Sequence, residues 1–191
     1  MAFFFAVLTQ QQSQRNYWLH IIEGALYSSS GAFFNIQTVL PALFLKLGAS
    51  SFVLGCLPVI AYLGLFTPQL LSARYALRRP MRKSIVIKGG LIQRLQLFLL
   101  AVVIALFANA HSSLALAAIL AVFLVNQLVA GWVSPVWYDF LAKTVTEDRR
   151  SSLAGNRTVL SALLGLMNGA LLAWILPSIQ FPYDFATIVF L

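Results

Sequence analysis

The residues best able to do chemistry lie inside stretches where hydrocarbon disfavours them. His20, Glu23, Tyr27 and Ser30 recur at three- and four-residue steps, a spacing that puts them on one face of a helix. Glu23 is the sole acid before Asp139. A desolvated carboxylate there could load and release a proton, or it could sit near an interface and pair with Arg15 or a loop base. Asn35 and Thr38 carry the polar content onward. Asn126 and Gln127 interrupt an apolar run, as Asn168 does later and Gln93 and Gln96 do earlier. Amides in such runs must bond to another helix, to water or to a solute. Asp139 precedes Arg149, Arg150 and Arg157, a set that could form and break ion pairs on one membrane face or serve only as a positive anchor.

Other chemistries are not encoded. His20 and His111 are the only histidines and Cys56 is the only cysteine, so no nucleophile stands beside a base and no metal-ligand spacing is present. A glycine-rich phosphate loop ending in Lys-Ser or Lys-Thr is lacking too. The expectation is a non-enzyme without cofactor or metal.

The elements that must hold these residues are apolar helices. Of the 191 residues, 60% are hydrophobic and 9% charged, whereas soluble domains run near 45–50% and about 25%. The formal charge of +8 does not indicate nucleic-acid binding, because the basic residues punctuate apolar runs instead of covering a soluble surface. A span needs about 20 apolar residues. Segments near 17–47, 51–75, 86–108, 113–141 and 153–176 qualify, after an N-terminal segment 1–16 that does not read as a signal peptide. A sixth apolar segment, 181–191, is too short to span and reads as a helix cut by truncation, or alternatively as a short interfacial or re-entrant piece. The transmembrane domain is thus expected over 17–191, as an all-α polytopic bundle.

Arg74, Arg78, Arg79, Arg82, Lys83 and Lys88 surround the second connection, and Lys143, Arg149 and Arg150 the fourth. Basic loops face the cytoplasm, so the N-terminus is expected there, in the cell (inner) membrane. Anionic headgroups are the natural neighbours of these loops. Arg94 would lie inside the third span, long enough to snorkel outward. Prolines 41, 58, 68 and 135 could kink their helices. Gly165 and Gly169 form a Gly-x-x-x-Gly pair, expected to serve packing within the bundle.

The order of several motifs resembles bacterial major facilitator superfamily permeases. They are Leu47-Gly48-Ala49-Ser50, Pro68-Gln69-Leu70, Arg78-Arg79-Pro80-Met81-Arg82-Lys83, Gly89-Gly90-Leu91-Ile92-Gln93-Arg94, Trp137-Tyr138-Asp139, the Arg149-Arg150 to Gly155-Asn156-Arg157 run, and Phe181-Pro182-Tyr183. Arg82 and Lys83 match the family's first-loop pattern, while Met81 replaces a glycine and no aspartate is present, as in a divergent branch. The resemblance implies a twelve-helix transporter whose halves rock about a central cavity. This chain would be the N-terminal six-helix half, truncated within its sixth helix, and would need the missing C-terminal half to act. It further implies a gate role for Arg149, Gly155 and Arg157. The expected function is secondary or facilitative transport of a small solute, with a coupling proton or cation in the active case. The alternative is a non-transporting membrane assembly or interaction protein.

Overall fold

The computed structural model describes residues 10–77 and 82–191, and every regular element among them is a helix. In chain order these are α1 Gln10–Ser30, α2 Val39–Lys46, α3 Ser51–Phe66, α4 Gln69–Leu77, α5 Lys83–Phe107, α6 Ser112–Thr144, α7 Glu147–Ser178 and α8 Tyr183–Phe190. Among the described residues four stretches are long and apolar enough to cross a membrane: Ser51–Ala76, Lys83–Phe107, Ser112–Thr144 and Glu147–Ser178. Phe52, Leu70, Leu106, Leu166 and Trp174 stand exposed on outer faces, where a soluble protein would suffer and a lipid-bathed one does not. The chain has the build of a helical membrane protein.

The first expected span is not one helix. α1 starts earlier, at Gln10, and stops at Ser30, and α2 resumes only at Val39. The cause is local. Ser29 and Ser30 donate to the carbonyls of Leu26 and Tyr27, Gly31 follows, and Asn35 Oδ1 accepts from the amide of Gln37 at 2.7 Å, each an alternative to the helical ladder. The polar run Gln10-Gln11-Gln12-Ser13-Gln14-Arg15-Asn16 then leaves α1 outside the set of spanning helices. The second span breaks lightly at Thr67-Pro68, between α3 and α4. Pro58 and Pro135 lie within α3 and α6 without ending them.

Tight turns occur where residues allow them. After α2, Gly48 takes φ +78°, and the amides of Ala49 and Gly48 donate to the carbonyls of Phe44 and Leu45 at 2.9 and 3.0 Å. This paired closure needs a residue that tolerates the left-handed region. α6 passes close to α3: a Cβ on Gly64 would come 2.7 Å from that of Gln127, and one on Gly131 would collide with the Leu65 carbonyl. Gly165 and Gly169 depart from expectation, because nothing lies within 4 Å of either missing Cβ. Their pair packs against no described part of the bundle.

The helices alternate in direction, giving a basic end, where α1, α5 and α7 begin and α4 and α6 finish, and an opposite end. Helix contacts run α1 to α7, α7 to α8, α8 to α5, α5 to α6 and α6 back to α1, with α3 and α4 against the far side of α6. The main apolar core lies toward the opposite end and includes Leu40, Phe44, Leu100, Ile104, Ile119, Phe123 and Phe185. Toward the basic end only a small cluster forms, from Tyr17, Ile21, Val145 and Leu153. A cavity occupies the space that remains.

Candidate functional site

A cavity of about 890 Å³ opens among α1, α5, α6 and α7 in the basic half of the bundle. α1 contributes Arg15, Asn16, Leu19, His20, Glu23 and Tyr27, and α5 contributes Lys83, Val86, Ile87, Gly90, Leu91, Gln93 and Arg94. From α6 come Val133, Ser134, Trp137, Tyr138 and Thr144, and from α7 comes Arg157. The α5 set follows steps of three and four from Lys83 to Arg94, one unbroken helical stripe. A volume of this size suits a drug-sized or metabolite-sized ligand.

Depth follows from helix rise. Arg94 is eleven residues beyond Lys83, about 16 Å along α5 at 1.5 Å per residue, which is near the middle of that 25-residue helix. Arg157 lies ten residues beyond Glu147, about 15 Å along α7. A charged side chain costs about 2.5–3.5 kcal/mol at the centre of a span on the mildest scale and less toward its ends. Arg94, and to a lesser degree Arg157 in the first third of the 32-residue α7, therefore need water, a partner or a ligand. Arg94 Nη1 donates to the Gly90 carbonyl at 3.0 Å, the backward reach expected of a snorkelling side chain. Arg157 Nη2 donates to Ser28 Oγ at 3.4 Å, and its guanidinium lies 4.7 Å from the centroid of the Trp137 ring. It passes directly over Gly24, where a Cβ would overlap it.

A polar network closes the floor at the basic end. His20 Nε2 and Thr144 Oγ1 are 2.8 Å apart, and Thr144 Oγ1 lies 2.9 Å from the Phe140 carbonyl. With the Thr144 proton given to that carbonyl, His20 Nε2 is the donor to Thr144. Tyr17 donates to Ser152 Oγ at 3.2 Å and accepts from Asn156 Nδ2 at 2.8 Å. These bonds tie α1 to the end of α6 and the start of α7.

The expected site residues divide into several groups. Glu23 and Tyr27 line the cavity, and Tyr27 accepts from Gln93 Nε2 at 3.5 Å. Among the described residues Glu23 has no hydrogen-bond or ion-pair partner, so the pairing with Arg15 or a loop base does not form. Ser30, Asn35, Asn126, Gln127 and Asn168 stand outside the cavity lining. Ser30 and Asn35 close local turns. Gln127 Nε2 donates to the Ala61 carbonyl at 3.1 Å and Asn168 Nδ2 to the Ser29 carbonyl at 2.9 Å, which makes both interhelical ties. Asn126, within α6, is buried, and its side chain makes no hydrogen bond among the described residues.

The expected acid–base cluster is rearranged. Asp139 Oδ2 meets Arg82 Nε at 2.5 Å and Lys143 Nζ at 2.9 Å, and does not meet the arginines of α7. Arg150 turns to Glu147 at 3.6 Å and to the Ala142 carbonyl at 2.7 Å. Arg149 lies over Tyr17 at 5.9 Å, and Gly155 faces open space. Among the described members of the expected gate set, Arg157 and Lys83 reach the cavity. Arg78 and Arg79 lie outside the described residues. Arg15, Arg94 and Trp137 do not stand out as site residues in the sequence; the Lys83–Gly90–Arg94 stripe is the available signal.

No protein-family model, no curated protein and no solved structure matches this chain. A functional reading therefore rests on the geometry of the cavity and on the sequence itself.

Proposed function

We propose that this bundle is one half of a secondary transporter of the major facilitator type, moving a small solute by alternating access through the cavity between α1, α5, α6 and α7. The carrying observation is that cavity: a space with mainly apolar and aromatic walls that carries Glu23, Arg94 and Arg157 among apolar helices, walled chiefly by α1, α5, α6 and α7 and backed by the apolar core toward the opposite end. A protein that only scaffolds others has no reason to keep guanidinium groups and a carboxylate there.

Helix pairing supports the reading. Number the segments by the six-pass expectation, with α1 and α2 in the place of pass one, α3 with α4 as pass two, α5 to α7 as passes three to five and the eight-residue α8 in the place of pass six, although α1, α2 and α8 are not among the spanning helices. Passes one and five pair, as do two and four, three and six, and one and four. Exchanging the first three passes with the last three leaves this set unchanged, as an inverted repeat requires. The α5 to α6 and α7 to α8 pairings lack counterparts of similar extent. On this reading the basic end faces the cytoplasm of the cell membrane.

A second reading, a non-transporting interaction subunit, draws on α7. Only 6% of its most apolar window is buried, and Gly155, Gly165 and Gly169 have open space beside them, so that face suits another helix. The second half of a transporter would fill it equally well. Cysteines at Glu23 and Tyr27, in a Cys56→Ser background, separate the readings. Transport predicts that both react with a hydrophilic maleimide and that one class in a panel of sugars, amines, carboxylates and phosphates protects both. Reactive cysteines that no solute protects contradict it and favour the interaction subunit.

A further inference from the structure

The charge around the cavity is lopsided. Arg15, Lys83, Arg94 and Arg157 line it against one carboxylate, Glu23, and among the described residues none of the four forms a salt bridge. Outside the cavity Lys46, Arg82, Lys143 and Arg150 each face an acid, while Arg74, Lys88 and Arg149 form no salt bridge among the described residues. The two deepest cations have only weak company. Arg94 contacts one backbone carbonyl, and Arg157 contacts one hydroxyl and the face of Trp137. A guanidinium carries five N–H donors in a planar fork, so most of that capacity is unused by the protein and left for a ligand. Planar forks of this kind fit carboxylate and phosphate oxygens two at a time.

The rest of the lining sets the size and body of the ligand. A space of about 890 Å³ far exceeds an inorganic ion, and Leu19, Tyr27, Leu65, Val86, Trp137 and Phe140 give it broad apolar and aromatic walls. Few polar groups fixing one end, with apolar walls for the remainder, is the usual division of labour in small-molecule sites.

We infer that the solute of this cavity is a small organic anion, its carboxylate or phosphate held by Arg94 and Arg157 and its apolar body packed against Trp137 and Tyr27. The inference rests on the transporter reading and names its solute class. The headgroup phosphate of an anionic lipid offers the same chemistry, because the basic end is where such lipids would gather. The shared feature is an oxyanion, and the proposed source is a soluble molecule.

The test uses the full chain in nanodiscs of phosphatidylcholine, titrated calorimetrically with benzoate and phenyl phosphate and with their neutral and cationic counterparts, benzamide and benzamidine. At least one anion should bind about tenfold or more tighter than benzamide, the factor one charge-assisted hydrogen bond supplies. Arg94→Gln and Arg157→Gln should each weaken that anion about tenfold, Arg94→Lys should weaken it less, and Glu23→Gln should tighten it. Unchanged thermal unfolding of each variant shows that the fold is intact. Benzamide or benzamidine binding as tightly as the anions, or no anion binding, overturns the inference. So does phosphatidylglycerol that occupies the site, detected by an Arg94-dependent ³¹P shift that neither soluble anion reverses. The two levels fail separately. Tyr27→Cys protected by a neutral solute leaves the transporter reading standing without its anion, whereas Tyr27→Cys unreactive toward maleimide removes the wet cavity and both readings with it.

Discussion

The two ends of the bundle use the same side-chain chemistry in opposite ways. At the opposite end Lys46 Nζ meets Asp184 Oδ2 at 2.9 Å, with the aspartate side chain 1% exposed and the lysine 46%. The lysine also lies 4.9 Å from the Phe185 ring and 5.3 Å from that of Phe181, and Asp184 Oδ1 accepts from the Phe185 amide. This pair pins α2 to α8 over the apolar core. At the basic end Asp139, 37% exposed, is shared by Arg82 and Lys143, while four cations line a cavity unpaired. One end is bolted through a carboxylate 1% exposed, and the other shares a part-exposed carboxylate between the nearly buried Arg82 and the part-exposed Lys143, beside open space. On the proposed transporter reading, a bundle that opens toward the basic end first would be built with this imbalance.

The imbalance predicts unequal costs. Lys46→Met should be the most damaging, because it strands a buried carboxylate; breaking such pairs costs about 3–5 kcal/mol, and the half-exposed lysine places this one near about 3 kcal/mol. Denaturation in detergent measures it, and the double change Lys46→Met with Asp184→Leu should recover most of the loss. A Lys46→Met cost no larger than that of Asp139→Asn would break the comparison. Gly131→Ala comes next, since its methyl would collide with the Leu65 carbonyl and press on Pro68; overpacking of that kind costs about 1–3 kcal/mol, read as a lowered unfolding midpoint. Asp139→Asn should be mildest: Asp139 and Lys143 are part-exposed, and the asparagine oxygen can still accept from the nearly buried Arg82. A loss of about 1 kcal/mol, the top of the range for exposed pairs, is expected, shrinking as salt is raised. A large, salt-independent loss at Asp139 would show that the basic end is held as tightly as the other.

Much of the fold is legible in the sequence because hydrocarbon imposes a length and a composition on whatever crosses it. The apolar runs mark α3 with α4, α5 and α6 to within three residues, while α7 begins six residues before its apolar run. The first segment reads as continuous and is not, since hydropathy does not register Ser29, Ser30 and Asn35 turning their side chains onto the backbone. Sites are harder. The Glu23–Tyr27 stripe stands out because both residues lie on one helix, whereas Arg94 and Arg157 become neighbours of one cavity only through the pairing of α1 with α7 and of α5 with α6. Asn168 and Gln127 look like solute ligands for the same reason that they make good interhelical ties: an amide in an apolar run must bond to something, and spacing does not say to what. Asp139 pairs backward with Arg82 because the start of α5 lies beside the end of α6, a neighbour relation that local sequence does not hold.

The central claim, a wet cavity at the basic half and a dry core at the other, can be tested on one helix. Leu91 lines the cavity, and Ala101, ten residues further along α5, is buried in the apolar core. With Cys56→Ser as background, Leu91→Cys should react quickly with a hydrophilic maleimide in nanodiscs, and Ala101→Cys should stay unmodified until the protein is unfolded. Equal reactivity at the two positions, or a silent Leu91→Cys in folded protein, would contradict the account.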